Sequence, residues 1–561
     1  MDKNEVNKNN ANRNKANKNK LNKNKITRRN FLSQSTDTLT ASTLIRVFGA
    51  LGLANLTTAC GSSSATESSS TPNQNNNQSN NQTTPRPVDW PGDVGTGKKV
   101  IILGAGISGL VSAYEMTKLG YECTILEATG RVGGRVRTIR NGDVIEELDS
   151  SQTCVFDDDP SLYFNAGAAR IPTHHDLLLG YCREFNVALE IFVNENTATR
   201  LHSNSINNSE PLLNRQVVND TQGYIAELLA SALNSGSLDS EVSSSEKSNL
   251  LNLLKQFAGL DNNYAYFGSQ RTGFVGQENS GSQERGNFPS PILRSELFQS
   301  EFNQFKLDFF KGLNQQATML QPVGGMDNIA KAFELQVFDQ IIFEAQVTEI
   351  RKTSNGVNIT YIDEQSDQLS IQTDYCICTI PAPVLKDIAN DFSNEHQSEI
   401  ESFSYSNAGK LAFQSNRFWE VEHNIYGGIS WTDQDITQIW YPSHGVMSED
   451  GIIIGAYTFG SGQGTRFSNL SPSERITTSI DQANLIHSEY ESNVINGVSI
   501  SWPKIPFQLG GWGTSVANIL LTEDQNIFFA GEHLSILQGW QEGAILSAYS
   551  AIDLIVLKDS N

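Results

Sequence analysis

The pattern of apolar and polar positions predicts a βαβ unit near residue 100. Residues 99–103 form a short apolar run typical of a buried strand, and residues 110–119 carry apolar side chains at helical spacing. Gly120 ends the helical pattern, and a second apolar run follows at 123–126. A strand, a helix and a second strand in this order predict parallel strands joined by a helical crossover.

Similar patterns continue to the end of the chain. Apolar and alternating runs predict strands at 346–350, 357–361, 375–380, 409–413 and 527–530. Helical spacing predicts helices at 225–233, 250–257 and 544–557, and residues 297–310 have an aromatic-rich pattern. This succession predicts an α/β fold with a helical insertion in the middle of the chain.

A glycine-rich turn connects the first strand to the first helix. Gly104, Gly106 and Gly109 have the spacing of a dinucleotide-binding fingerprint. The first glycine allows a tight turn, the second lets the backbone approach a pyrophosphate, and the third lets helix and strand pack closely. Ile107 and Ser108 begin the helix, whose N-terminus faces the phosphate charge.

An acidic residue closes the second strand, as the fingerprint requires. Glu127 lies eighteen residues after Gly109, with Ala128 beside it, and is placed to accept hydrogen bonds from a ribose hydroxyl. Arg135 follows in a second glycine-containing stretch, residues 131–137. This stretch resembles the fingerprint extension of the flavin amine-oxidase superfamily, which implies that Arg135 helps to hold the phosphates of FAD. The alternative is a nicotinamide-binding unit followed by an unrelated basic loop.

Net charge and cysteine positions disfavour several kinds of binding partner and chemistry. The 561 residues carry a net charge of −22, and because residues 1–59 hold eleven basic and three acidic residues, residues 60–561 carry −30. A body this acidic disfavours nucleic acid and anionic membrane surfaces as partners. The cysteines lack metal-binding spacing, and Cys376 and Cys378 alternate in an apolar strand, which favours core packing over redox chemistry.

The first 59 residues are predicted to lie outside the fold. Residues 2–25 are an Asn- and Lys-rich tract typical of disorder, and residues 27–33 resemble a twin-arginine export signal, followed by a mildly apolar stretch at 39–56. We therefore expect export by the twin-arginine route, to a periplasmic, lipid-anchored or secreted location. Cys60 suits a lipid anchor, whereas the small residues before it equally suit ordinary signal cleavage.

Motifs further along the chain resemble those of L-amino-acid oxidases. Residues 165–172 are similar to a segment that runs past the flavin. The resemblance implies that Gly167, Ala168 and Ala169 contact FAD, and that Arg170 does so while binding the substrate carboxylate. A guanidinium offers a bidentate fork to a carboxylate, so physical chemistry agrees with this role. From the residues alone, Arg170 is equally well a surface arginine in a turn before proline.

Four further residues receive roles from the same resemblance. Val347 would reach the adenine through its backbone, and Lys410 would hold a water beside flavin atom N5, where oxygen reacts. Tyr457 would join Arg170 at the carboxylate, and Trp440 would form a wall of the pocket. Without the resemblance, Lys410 is a solvated strand end and Trp440 a core residue.

The C-terminal segment carries the second strong signature of the family. Glu532 follows an apolar strand, and Gly539, Trp540, Gln541 and Ala544 lie at the start of the last helix. The resemblance implies that Glu532 binds the ribityl or phosphate side of the flavin, and that Gly539 and Trp540 flank the substrate. It also places the helix N-terminus, with Gln541 and Ala544, at the N1–C2 edge of the flavin.

Two features of relatives are missing. Residues 510–512, Gly-Gly-Trp, stand where monoamine oxidases have a cysteine that anchors the flavin, so we expect non-covalent FAD. Some relatives use a histidine of the helical insertion as a base, but this chain has none between His202 and His396. His174 and His175 are expected to be surface residues that open a helix. A bound water, or a substrate that binds as the free amine, is left to serve instead.

The resemblance covers about residues 98–558. It implies an α/β fold with a Rossmann-like FAD-binding domain, a mixed-sheet substrate domain and a helical insertion. It also implies oxidative deamination of an L-amino acid by oxygen, giving a 2-oxo acid, ammonia and hydrogen peroxide. The alternatives are a monoamine or polyamine oxidase, a decarboxylating amino-acid 2-monooxygenase, and a non-enzymatic flavin-binding surface protein. A homodimer is left open.

Domain boundaries follow from the positions of these motifs. We expect the FAD-binding domain in three parts and the substrate domain in two, with a signal segment and a Ser-, Asn- and Gln-rich linker before them. In chain order the segments are the signal 1–59, the linker 60–97, FAD-binding 98–140, substrate 141–210, helical insertion 211–318, FAD-binding 319–404, substrate 405–516 and FAD-binding 517–561.

Overall fold

The computed structural model describes residues 86–275 and 286–560. The twin-arginine motif and Cys60 lie outside these residues. Described residues 86–231 and 250–560 belong to one compact unit, while residues 232–249, taken by themselves, hold the end of one helix and the start of the next. None of the described helices has the length and apolar character needed to cross a membrane.

The described chain contains many short strands, some in consecutive runs, and helices between them. The strands are β1 Lys99–Leu103, β2 Glu122–Leu126, β3 Thr138–Ile139, β4 Val144–Glu147, β5 Ser150–Thr153, β6 Phe164–Asn165, β7 Ile171–Pro172, β8 Leu189–Phe192, β9 Arg200–His202, β10 Leu212–Leu213, β11 Met319–Pro322, β12 Ile341–Ile342, β13 Gln346–Lys352, β14 Val357–Ile362, β15 Gln368–Thr373, β16 Tyr375–Cys378, β17 Ala389–Asn390, β18 Gly409–Asn416, β19 Gly428–Thr432, β20 Gln438–Tyr441, β21 Asp450–Thr458, β22 Val494–Ser501 and β23 Ile527–Phe529. The helices are α1 Ile107–Lys118, α2 Asp176–Glu184, α3 Asn214–Asn234, α4 Ser244–Ala258, α5 Arg294–Gln299, α6 Glu301–Phe309, α7 Asp327–Val337, α8 Ala382–Leu385, α9 Asn394–Ser402, α10 Phe418–Val421, α11 Thr465–Asn469, α12 Pro472–Ala483, α13 Tyr490–Asn493 and α14 Gln541–Asp559.

The main sheet has five parallel strands in the order β12-β2-β1-β16-β23. Helices α1 and α14 cover it, and their apolar side chains share one core with those of β1. Cys376 and Cys378 are buried in β16, which confirms the prediction that they pack in the core. Because parallel strands end at the same edge, the turns after β1, β2 and β23 meet there.

The second large sheet has seven strands in the order β10-β9-β19-β20-β21-β18-β22. Strands β9 and β19 pair in parallel and the other neighbours pair antiparallel, so the predicted mixed sheet is confirmed. Its central strands carry Trp440 on β20, Tyr457 on β21 and Lys410 on β18. Lys410 and Tyr457 are direct cross-strand partners, so the sheet register brings both side chains together.

The aromatic-rich stretch of the helical insertion, residues 297–310, contains a break between two helices. Helices α5 and α6 are separated at Ser300. The Ser300 hydroxyl accepts a hydrogen bond from the amide of Asn303 at 3.1 Å. A serine in this role caps a new helix and favours a break over continuation. A short 3₁₀ turn, Leu313–Gln315, follows α6 near the end of the insertion.

Candidate active site

A cavity of about 740 Å³ extends from the carboxyl edge of the main sheet to the centre of the seven-stranded sheet. Every residue predicted above to bind a cofactor or substrate lines it, with the exception of Gly109. Gly109 instead packs beneath the turn, where an added Cβ would lie 2.0 Å from the carbonyl oxygen of Gly104. The structure therefore brings together residues from both ends and the middle of the chain.

The turn after β1 is shaped to receive a phosphate group. Gly104 has φ +102°, a backbone conformation that residues other than glycine rarely adopt. Gly106 faces open space, since a Cβ built there would have no atom within 4 Å. Helix α1 begins immediately afterwards at Ile107, so its free N–H groups and positive end lie against the cavity.

Glu127 is held firmly at the end of β2. One carboxylate oxygen accepts from the amide of Ala105 at 2.7 Å, and the other accepts from the amide and hydroxyl of Thr129 at 3.0 and 2.7 Å. A carboxylate has about four acceptor positions, so this geometry leaves one for a ligand hydroxyl. The side chain is buried and lines the cavity.

Arg135 and Glu532, which lie 397 positions apart in the sequence, form an ion pair. Arg135 Nη1 donates to Glu532 Oε1 at 2.5 Å and to the carbonyl of Gly511 at 2.9 Å. Glu532 Oε2 accepts from the amide of Gly539 at 2.7 Å. Burial raises the pKa of Glu532, but the nearby Arg135 and His533 and the hydrogen bonds from Arg135 and Gly539 together outweigh burial, so the net pKa is lowered. The pair thus ties the second glycine stretch to the segment before α14.

Arg170 is a cation without a countercharge at the other end of the cavity. Its Nη2 donates to Gln315 Oε1 at 2.7 Å, whereas its Nε and Nη1 are enclosed and have no hydrogen-bond partner. Within the described residues it makes no ion pair. Its guanidinium carbon lies 4.6 Å from the Trp440 ring centroid and 5.9 Å from that of Trp540. Burial lowers the pKa of Arg170 to about 10, so the group stays charged.

Lys410 is buried and is therefore not a solvated strand end. Its Nζ donates to the carbonyls of Asn165 at 3.0 Å and Gly167 at 2.6 Å, and lies 4.8 Å from the Tyr457 ring centroid. Burial, together with the nearby charge of Arg170, lowers the pKa of Lys410 to about 7. The lysine therefore changes charge near neutral pH.

His175 corrects one expectation. His174 is exposed as predicted, but His175 is only 1% exposed, lines the cavity and meets the Trp540 ring edge to face, with the ring centroids 5.2 Å apart. It does open helix α2, yet the prediction that it lies on the surface was wrong. Burial lowers the pKa of His175 to about 4, so its ring is neutral at neutral pH.

Gln315 is a cavity residue that no sequence motif indicated. Gln315 lies 145 positions from the arginine that it contacts, and no local pattern indicates that approach. For His175 a signal existed, because it follows Arg170 by five residues and a proline between them turns the chain. The described cysteines are all buried, and none of them lines the cavity.

Comparisons with known proteins bear on this site. A family model described as flavin containing amine oxidoreductase matches residues 107–556. The Bacillus subtilis (strain 168) protein YobN is 28% identical over 486 residues, which is 80% of this chain and 93% of that protein. The L-amino-acid oxidase of Gloydius halys is 26% identical over 481 residues, covering 81% and 88%. The solved structure of cyclohexylamine oxidase from Brevibacterium oxydans IH-35A aligns with a TM-score of 0.54 at 16% identity, covering 83% of this chain and 100% of that one.

Proposed function

The chain belongs to the flavin-containing amine oxidoreductase family, and we propose that it is an L-amino-acid oxidase. In this proposal it converts an L-amino acid and oxygen into a 2-oxo acid, ammonia and hydrogen peroxide. The supporting observation is Arg170, a charged guanidinium in the cavity with two enclosed nitrogens that lack partners. A relative of the same family, from Gloydius halys, is named for this activity.

The cavity fits FAD at its main-sheet end. The open face at Gly106, the N-terminus of α1 and the spare acceptor position of Glu127 suit a pyrophosphate and a ribose. When bound, FAD supplies the chemistry that takes two electrons from the substrate and passes them to oxygen. Because no described cysteine lines the cavity, we propose that the cofactor is held without a covalent link.

The substrate would lie between Arg170 and Lys410. Arg170 offers a bidentate fork to a carboxylate. Burial raises the pKa of the half-buried phenol of Tyr457, and Arg170 lies close enough that its charge offsets part of this rise. Fixing the carboxylate at these two groups would orient the α-carbon toward the cofactor, so that catalysis depends on positioning. A plain amine would leave the arginine charge uncompensated, which disfavours an amine oxidase.

Lys410 would act through its charge at the reacting end of the cavity. Its two carbonyl acceptors fix Nζ between the segment 165–167 and the aromatic rings of Trp440 and Tyr457. A cation held in this way stabilises negative charge that develops during the reaction with oxygen. The neutral His175 ring and Trp540 would form the opposite wall of the substrate pocket.

Product analysis with purified, FAD-loaded protein tests this function. We would measure peroxide release with L- and D-amino acids, phenylethylamine and spermidine, and assay the 2-oxo acid in parallel. We expect peroxide and 2-oxo acid in equal amounts from L-amino acids and not from their D-forms, and a kcat/KM for the two amines that is lower by about 100-fold or more. Amine turnover as efficient as that of L-amino acids would show that Arg170 does not select the substrate, and carbon dioxide with an amide product would identify a monooxygenase instead.

A further inference from the structure

The hydrogen-bond partner of Arg170 is a neutral amide and not an acid. Gln315 ends the turn Leu313–Gln315, and its Oε1 accepts from Arg170 Nη2 at 2.7 Å. The Gln315 side chain is half-buried and lines the cavity, while residues 316–318 beyond it are exposed. The amide therefore lies at the rim of the cavity, between the arginine and solvent.

Two contacts hold this turn in place. The carbonyl oxygen of Gln315 accepts from the side-chain amide of Asn194 at 2.7 Å, and Asn194 is 1% exposed. The side-chain oxygen of Asn314 lies 2.7 Å from His174 Nε2. These two contacts, at the successive residues 314 and 315, fix the backbone of the turn and so hold the side chain of Gln315 against Arg170.

A neutral partner has a specific electrostatic consequence. A guanidinium has two edges that can each bind a carboxylate through two N–H groups, and both edges use a hydrogen of Nη2. Gln315 takes one of these hydrogens, so one complete edge of Arg170 stays free. Because the amide carries no charge, it satisfies a hydrogen bond without neutralising the arginine.

We propose that Gln315 determines substrate specificity by its neutrality: it steadies Arg170 and leaves the positive charge to be compensated by the carboxylate of the substrate. This inference rests on the proposed function, since it assumes a substrate that bears a carboxylate. An acid at position 315 would occupy Arg170 permanently and remove the demand for that carboxylate. The cavity would then favour amines.

The variant Gln315→Glu tests this directly, with benzoate as a carboxylate that is not turned over. Benzoate binding to the FAD-loaded protein is followed by the change in the flavin absorbance spectrum. We expect the Kd for benzoate to rise about tenfold or more, because the new carboxylate competes for the same fork. We also expect the ratio of kcat/KM for phenylethylamine to that for L-phenylalanine to rise by at least about tenfold.

Gln316→Glu is the matched control. Gln316 is exposed and donates to the carbonyl of Lys311 at 2.7 Å, so this variant adds the same charge one residue away from the arginine contact. We expect its benzoate Kd to stay within about twofold of wild type, because exposed charges are screened. If the Kd for benzoate rises equally in both glutamate variants, the cause is added negative charge anywhere near the cavity and the proposal is overturned.

Two further variants separate charge from contact. Gln315→Ala removes the amide without adding charge, and we expect a benzoate Kd within about threefold of wild type. A loss as large as that of the glutamate variant would overturn the role of neutrality. If Gln315→Glu fails to fold, Gln315→Lys provides the test instead. Its added positive charge should lower the Kd for benzoate, and a rise of about tenfold would contradict the proposal.

Failure of this inference and failure of the proposed function give different results. If wild-type protein binds no benzoate and oxidises no L-amino acid, the proposed function fails. If wild-type protein does both and Gln315→Glu behaves as wild type does, only the role of Gln315 is refuted.

Discussion

Arg475 and Arg170 are two arginines of this protein that differ in whether another side chain compensates their positive charge. Arg475, on α12, is fully buried, and its Nη1 and Nη2 donate to the two carboxylate oxygens of Glu147 at 2.6 and 2.9 Å. Arg170 is half-buried at the cavity, and its partner within the described residues is the neutral amide of Gln315. One charge is compensated within the fold and the other is not.

This difference indicates that the charge of Arg475 stabilises the fold, whereas the charge of Arg170 is available to bind a ligand. Removing a cation from water costs free energy, which an opposite charge in good geometry offsets. Glu147 provides this offset for Arg475 and also accepts from the amide of Ser501 at 2.8 Å, so the pair links β4 to β22 and α12. Because Arg170 lacks such an offset beside a cavity, an anionic ligand is the remaining source of compensation.

The largest expected effect comes from breaking the structural pair. Arg475→Met leaves Glu147 charged and buried, and we expect the free energy of unfolding to fall by about 3–5 kcal/mol. Urea denaturation of the FAD-loaded protein measures this. Adding Glu147→Gln to the same protein should restore part of the loss, and no recovery in the double variant would show that the two side chains do not act as a pair.

Arg170→Met should affect activity and leave stability intact. Loss of the charge-assisted fork is expected to lower kcat/KM for L-amino acids by about 100-fold. The unfolding midpoint should not decrease, because the substitution removes a partly desolvated cation that has no countercharge. Steady-state peroxide assays measure kcat/KM, and thermal melting measures the unfolding midpoint. A melting temperature lowered as far as that of Arg475→Met would show that Arg170 stabilises the fold.

Tyr457→Phe should give a smaller effect of the same kind. Removing one hydroxyl that donates to a substrate carboxylate is expected to lower kcat/KM for L-amino acids by about tenfold. KM should account for most of the change, and activity toward phenylethylamine should be unaffected. An equal loss for amino acids and amines would instead place the hydroxyl at the reacting atoms.

The smallest effect concerns pH. Burial and the charge of Arg170 lower the pKa of Lys410 to about 7, so the lysine is cationic below that pH and neutral above it. The attraction between Lys410 and an anion is therefore lost as pH rises, and the Kd for benzoate should increase about threefold from pH 6 to pH 8. Titration at fixed ionic strength measures this, and the dependence should vanish in Lys410→Met. A dependence that persists in the variant would assign it to another group.

Local patterns predicted the main sheet well because its strands are short apolar runs bounded by glycines and acids. The first strand was predicted at 99–103 and is Lys99–Leu103 in the structure, and the glycine turn adopts the conformation that its spacing requires. Helix ends were predicted less well. The last helix starts at Gln541, three residues before its predicted start at 544, because its first turn has few apolar side chains to mark it.

The sequence by itself determined the βαβ unit and the dinucleotide fingerprint, since these depend on spacing within a few tens of residues. The resemblance to a known family, and not local spacing, indicated Arg170, Lys410 and Tyr457, which all line the cavity. Tertiary structure decided which charges are compensated. Arg475 meets Glu147 across 328 positions, and Arg170 meets Gln315 across 145. It also decided that His175 is buried against Trp540. Such contacts depend on how distant segments pack around one cavity, and no local periodicity encodes that arrangement.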